Sequence, residues 1–169
     1  MKLKASAVES PIGSLALAVD ETGRLRGVSF GDGLERTMAR EYPGVAMEQD
    51  ETPARVVAAL DDYFAGDQAA LMRIEWSLDG SVAGDGFQAR VWRALWEVPV
   101  GQSISYGEMA RRVGEPGAAQ AAGVALNRNP IPLVLACHRV VGADGAMVGF
   151  GGGLERKTWL LRHEGALLI

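Results

Sequence analysis

The chain has 169 residues, a formal net charge of −4 and 48% hydrophobic residues, enough for one domain or two small ones around a sizeable core. That balance excludes a disordered or collagen-like chain, and no apolar run approaches the roughly 18–20 residues of a membrane span. The single cysteine, Cys137, excludes an intramolecular disulfide and a zinc site built on several cysteines. The N-terminus carries Lys2 and Lys4 but no apolar stretch of a secretory leader, so a reducing, cytoplasmic setting is expected. Charge is unevenly spread. Residues 1–84 hold 8 basic and 14 acidic side chains, a net of −6, while residues 85–169 hold 9 and 7, a net of +2, a weak hint that the second half meets an anion.

In the first half, Leu15, Leu17 and Val19 alternate with small residues, and Val28 and Phe30 resume the alternation beyond a turn at 20–23, which predicts a β-hairpin over 13–30. Thr52-Pro53 reads as an N-cap and first turn. The helix behind it carries Val56, Val57, Leu60, Tyr63 and Phe64 at helical spacing and stops at Gly66. Met72, Ile74, Trp76 and Leu78 alternate with polar residues and predict a half-buried strand. The adjacent Asp61 and Asp62 read as a solvated helix face. Residues 79–86, with three glycines, are the best linker candidate, which divides the chain into domains at 1–80 and 85–169.

The second half opens with a helix carrying Phe87, Val91 and Leu95 on one face, with Trp92 and Trp96 beside them, ended by Pro99-Val100-Gly101. Ser105-x-x-Glu108 is a capping box for a helix that stops at Gly114, and Pro116 suits the first turn of another that runs toward Asn127. Two short helices on a Gly/Pro turn fit a helix-turn-helix, and also the more common plain αα-hairpin. Five of the eight residues from 118 to 125 are alanine, so this helix lets its backbone come close either to a neighbouring helix or to a narrow groove such as the minor groove of DNA. Next, Pro130 and Pro132 stiffen the approach to Cys137-His138-Arg139. A cysteine in an apolar run is usually a small buried hydrophobe, but basic neighbours favour a thiolate and make it a candidate nucleophile. The glycines at 149 and 151–153 fit neither a Walker loop nor a dinucleotide fingerprint, and read as a flexible wall before a helix over 154–163 that Gly165 closes.

Taken together, Asn129-Pro130-x-Pro132, Cys137-His138-Arg139-Val140 and Trp159-Leu-Leu-x-His163-Glu164-Gly165 resemble the O6-alkylguanine-DNA alkyltransferase family. The likeness covers residues 87–169, including Ser105-Tyr106-Gly107 and the alanine-rich helix. Residues 1–78 match only in a strand–strand–helix–strand outline. The resemblance implies an α+β protein: a ribonuclease H-like N-terminal domain, then a mostly helical, winged-helix-like domain with a helix-turn-helix. It implies a monomer that binds double-stranded DNA by the minor groove and flips the alkylated guanine into a pocket. The alkyl group then passes to Cys137, once and irreversibly, without a cofactor. His138 would take the thiol proton through a water, Glu164 would orient the imidazole, and Tyr106 would donate to the departing guanine. Gln120, Ala119, Arg128 and Arg139 are the expected DNA contacts, and Asn129 and Gly151 the expected supports of the site.

Three positions depart from the family's usual pattern: Gln120 where an arginine fills the gap of the flipped base, Ala136 where proline precedes the cysteine, and Gly151 where a serine is common. Two other readings stand beside repair. One is a protein that binds alkylated DNA without catalysis and flags it for another pathway. The other is a cysteine hydrolase built on Cys137 and His138.

Overall fold

The structure, a computed structural model, describes residues 1–145 and 150–167, and the chain divides into two compact units, Met1–Gly84 and Asp85–Ile169. No helix among the described residues is long and apolar enough to cross a membrane.

In the first unit β1 (Leu3–Ser10), β2 (Gly13–Asp20) and β3 (Leu25–Phe30) form an antiparallel meander. After α1 (Leu34–Glu41), β4 (Met47–Gln49) adds parallel to β1, giving the order β3-β2-β1-β4. The predicted hairpin is β2–β3. Strand β1 escaped prediction because its middle, Ala5-Ser6-Ala7, carries little hydrophobic contrast between faces. Helix α1 escaped because only Leu34 and Met38 mark its buried side; both join Leu3, Ala5, Ala18 and Tyr42 in one core cluster. Gly27 makes that packing possible, since a Cβ there would stand 2.5 Å from Met38 Cε.

Helix α2 (Ala54–Phe64) buries Val56, Ala59, Leu60 and Tyr63 and ends at Gly66, whose φ of +116° suits glycine. Thr52 does not cap it. Pro53 takes the cap position with no side-chain bond, and the Thr52 hydroxyl instead meets Ser6 on β1. The strand expected at 72–78 is also corrected. A single 3-10 turn occupies Ala70–Arg73, and pairing is limited to one bridge, Leu25 with Trp76. The alternation still buries Ile74 and Leu78, but Met72 is 58% exposed and no ladder extends along the segment.

The glycine-rich stretch after it is not a free linker up to residue 84. Arg26 donates to the Asp79 carbonyl, Ser81 Oγ donates to Glu41 Oε1 at 2.7 Å, and Val82 N donates to Glu41 O at 2.9 Å. Side-chain bonds to the buried Glu41 and Arg26 thus bind it to the first unit, which local composition cannot reveal.

The second unit contains α3 (Phe87–Leu95), β5 (Ile104–Ser105), α4 (Tyr106–Arg112), α5 (Ala119–Asn127), a 3-10 turn at Cys137–Arg139, β6 (Val140–Val141) and α6 (Leu154–His163). Ser105 Oγ caps α4 by accepting from Glu108 N at 3.0 Å, while the Glu108 carboxylate turns to Arg111 and Arg112. Helix α5 starts at Ala119, three residues later than Pro116 suggests, because Gly117 at φ +93° breaks the helical path. The buried Trp92 of α3 donates from Nε1 to Ala125 O at 2.7 Å, tying the end of α5 to the core. An unexpected parallel pair, Ile104 with Val140 and Ser105 with Val141, links the start of α4 to the cysteine turn. Two-residue strands are too short to show a period.

Candidate active site

Asn129 builds the approach to the cysteine. Its Nδ2 donates to Leu135 O at 2.6 Å and its Oδ1 accepts from Ile131 N at 3.0 Å, closing the loop between α5 and the turn. Within that loop Leu133, only 1% exposed, holds a φ of +76°, a strained conformation for a non-glycine residue. The loop delivers Cys137 to a buried position 6% exposed at the head of the 3-10 turn. Burial pushes its thiol up to about 11, against which a hydrogen bond from Asn129 and the charge of Lys157 work in the other direction. The resting thiol is therefore protonated at neutral pH and needs a base.

The next residue is placed to be one. His138 is fully buried, and its Nε2 lies 2.9 Å from Glu164 Oε2. A carboxylate acceptor assigns the ring proton to Nε2, which leaves Nδ1 as the lone-pair nitrogen. That Nδ1 is buried with no hydrogen-bond partner among the described residues. Burial lowers the His138 pKa below its ordinary 6.5, although Glu164 opposes this, so the imidazole is neutral at pH 7. Phe150 meets the ring edge-on, with centroids 6.5 Å apart.

Glu164 is held more firmly than the sequence implies. Arg139 donates from Nε to Oε1 at 2.9 Å and from Nη2 to Oε2 at 3.0 Å, a two-pronged grip, while its Nη1 donates to Val98 O at 2.8 Å. Burial alone would raise the Glu164 pKa, but His138 and Arg139 together outweigh it and keep the carboxyl well below the usual range. Gly101, at φ +84°, lets the Glu164 backbone come close: a Cβ there would stand 3.3 Å from its carbonyl oxygen. The expectation that Arg139 contacts DNA is thereby corrected. The residue is buried, and its guanidinium donates to Glu164 and Val98 instead of standing free at the surface.

Tyr106 opens α4, half-buried, and its phenol is pushed up by burial and by the nearby Cys137 charge. Cys137, His138, Glu164, Tyr106 and Asn129 therefore share one neighbourhood, joined by Arg139 and by a residue that sequence reasoning missed, Lys157. Lys157 Nζ is buried and donates to Val140 O at 2.7 Å. Only its place on α6 could have hinted at this, because 157, 160, 161 and 164 fall on one helical face. Gln120 is exposed near the start of α5, Ala119 is half-buried beside it, and Arg128 is the exposed residue at its end. Gly151 is exposed, with Asn127 O 4.0 Å from where its Cβ would be, whereas Gly149 lies outside the described residues.

A buried thiol, a neutral imidazole beside it and a clamped carboxylate form an arrangement that can supply a thiol nucleophile and its base, in a unit that also carries the adjacent helices α4 and α5. Residues 86–166 match the family description "6-O-methylguanine DNA methyltransferase, DNA binding domain", and residues 3–76 match its "ribonuclease-like domain". The methylated-DNA–protein-cysteine methyltransferase of Salmonella typhimurium is 38% identical over 100% of this chain and 99% of its own length, and that of Methanosarcina acetivorans is 41% identical over 94% and 96%. A crystal structure of Mycobacterium tuberculosis OGT in complex with DNA superposes with a TM-score of 0.77 at 35% identity, covering 96% of this chain and 93% of that one. The chain belongs to the 6-O-methylguanine DNA methyltransferase family.

Proposed function

We propose that this chain is a direct-repair alkyltransferase whose acceptor is Cys137. The observation that carries the assignment is the His138 ring: one nitrogen fixed on Glu164, the other buried and unpartnered among the described residues, in the residue that follows the only cysteine. Nδ1 takes the thiol proton through a water, and Glu164 stabilises the imidazolium that results. The thiolate attacks the alkyl carbon in line, so the S–C bond forms as the bond from carbon to guanine O6 breaks. The departing guanine collects hydrogen bonds or a proton from Tyr106, with the Gly151 backbone N–H in support. The products are a thioether on Cys137 and restored guanine.

DNA recognition belongs to residues 85–169, with α5 in the minor groove and Gln120, Ala119 and Arg128 nearest the duplex; residues 1–80 form the ribonuclease H-like domain. The target carbon is unreachable inside a base stack, so the nucleotide must be extruded, and one bound monomer suffices. The protein acts in the cytoplasm. A bind-and-flag role would not require a base poised behind a thiol, which favours transfer. Intact-mass measurement after mixing with a duplex carrying O6-methylguanine tests the reading. One added methyl on the Cys137 peptide supports it, whereas binding without a mass change turns the assignment to lesion recognition.

Two expectations accompany the proposal. Because the His138 pKa lies below 6.5, the base stays neutral through the physiological range. Single-turnover transfer rates should be flat from about pH 8 to pH 6.5 and fall only at lower pH, as Nδ1 is protonated. A decline already under way between pH 8 and 7 would assign the proton to another group. The second concerns Gln120, which is neutral and shorter than arginine, fills the vacated base position poorly and releases no counterion. Gln120→Arg should speed repair of duplex, leave single strands nearly unchanged and steepen the salt dependence of binding by up to about one unit of slope. Equal effects on duplex and single strand would place the intruding side chain elsewhere.

A further inference from the structure

The chain holds three lysines against 14 arginines, and two of the three, Lys2 and Lys4, are exposed near the N-terminus. The third, Lys157, is 0% exposed. A lysine buried in so arginine-rich a chain marks a place where a compact ammonium serves and a planar fork does not. Its Nζ is fixed 2.7 Å from Val140 O, and Val140 caps the one-turn helix that begins at Cys137. The ammonium is therefore fixed on the C-cap of the turn whose first residue is Cys137, where its charge acts on the thiol. Among the described residues, the charged and titratable groups around this point are Cys137, His138 and Arg139 from the turn, Tyr106 from α4, and Glu164 beyond α6. Arg139 and Glu164 neutralise one another through their two-pronged contact, and His138 is neutral.

We propose that Lys157 is a positioning residue for the transfer reaction, the fixed positive charge that supports the Cys137 thiolate in its buried site. The interaction is reciprocal. Burial is the larger influence on both groups, raising the thiol and lowering the ammonium, and each charge offsets part of that cost for the other. The inference builds on Cys137 as the nucleophile, but its test needs neither DNA nor alkylguanine.

The probe is iodoacetamide, whose reaction with a thiolate forms an S–C bond and releases iodide, followed by intact mass on this single-cysteine chain as a function of pH. Lys157→Gln keeps a donor for Val140 and removes the charge. It should react about three- to tenfold more slowly at pH 8, with the profile displaced to higher pH, because one pK unit is a tenfold change in thiolate fraction. Lys157→Arg should restore much of the rate. If Lys157→Gln does not fold, wild type alone still decides the matter. The anionic iodoacetate, relative to iodoacetamide, should react several-fold faster with Cys137 than with a neutral small thiol such as N-acetylcysteine amide. A Lys157→Gln profile that superposes on wild type, or an iodoacetate preference no greater than that of the small thiol, overturns the proposal. A protein that passes this test yet transfers no methyl from DNA would refute the repair reading and leave the role of Lys157 standing.

Discussion

With Cys137 replaced by serine, the protein should take up no detectable methyl from O6-methylguanine DNA and should bind the same duplex as tightly as wild type. Oxygen is close to sulfur in size and the site is buried, so the substitution disturbs little beyond the nucleophile. A serine hydroxyl is far less acidic than a thiol, and a neutral imidazole cannot generate enough alkoxide to attack an unactivated alkyl carbon. The wild-type reaction has a matching limit. One cysteine supplies one acceptor, and a thioether has no easy route back to a thiolate, so each molecule reacts once. With a tenfold excess of methylated duplex, mass spectrometry should show a plateau at one methyl per protein. Continued turnover, or methyl found on the serine variant, would remove Cys137 from the mechanism.

Glu164→Gln should both unfold the protein more easily and slow transfer. Glu164 is 2% exposed and accepts from His138 and, twice, from Arg139. A glutamine offers one acceptor oxygen and turns an amide N–H toward groups that already donate. It also leaves the Arg139 guanidinium buried without its counter-charge, a loss of about 3–5 kcal/mol for a broken buried pair. Urea denaturation should report that cost as an earlier midpoint. Stability should follow pH in the same sense. The depressed Glu164 pKa contributes stability that is present above its ordinary value of 4.5 and is lost as pH falls toward the folded-state value. Transfer should slow as well, since the imidazolium formed on His138 loses its anionic partner. The two effects can be separated by adding Arg139→Met to Glu164→Gln. With the stranded charge gone, the double variant should regain part of the stability and none of the rate. A Glu164→Gln protein with unchanged midpoint and rate would show that the carboxylate serves neither purpose.

Much of the site is legible in the sequence, because covalent order carries it. A cysteine next to a histidine, an asparagine–proline loop ahead of it and a glutamate after the last helix can be recognised at their spacing. The helices at 54–64 and 87–95 are also legible, since each repeats apolar residues at helical spacing between clear stops, and the helix at 154–163 is legible from the glycines that bracket it. Legibility fails where the signal is short or the partner distant. Strand β1 is rich in small residues, β5 and β6 have two residues each, and the alternation at 72–78 reports burial without a ladder to join.

The sequence by itself determined the elements with strong periodicity, the single nucleophile and the identities of the residues near it. Only the tertiary structure decided what those side chains do. Arg139 follows His138 and reads as a DNA contact, yet the fold brings Glu164, 25 positions later, against it, and a buried carboxylate outcompetes solvent for the guanidinium. Lys157, between Arg156 and Thr158, looks like one more solvated helix residue, yet α6 turns it inward to the Cys137 turn. A side chain's chemistry is local, but burial and counter-charge, which set its protonation state, come from residues far along the chain.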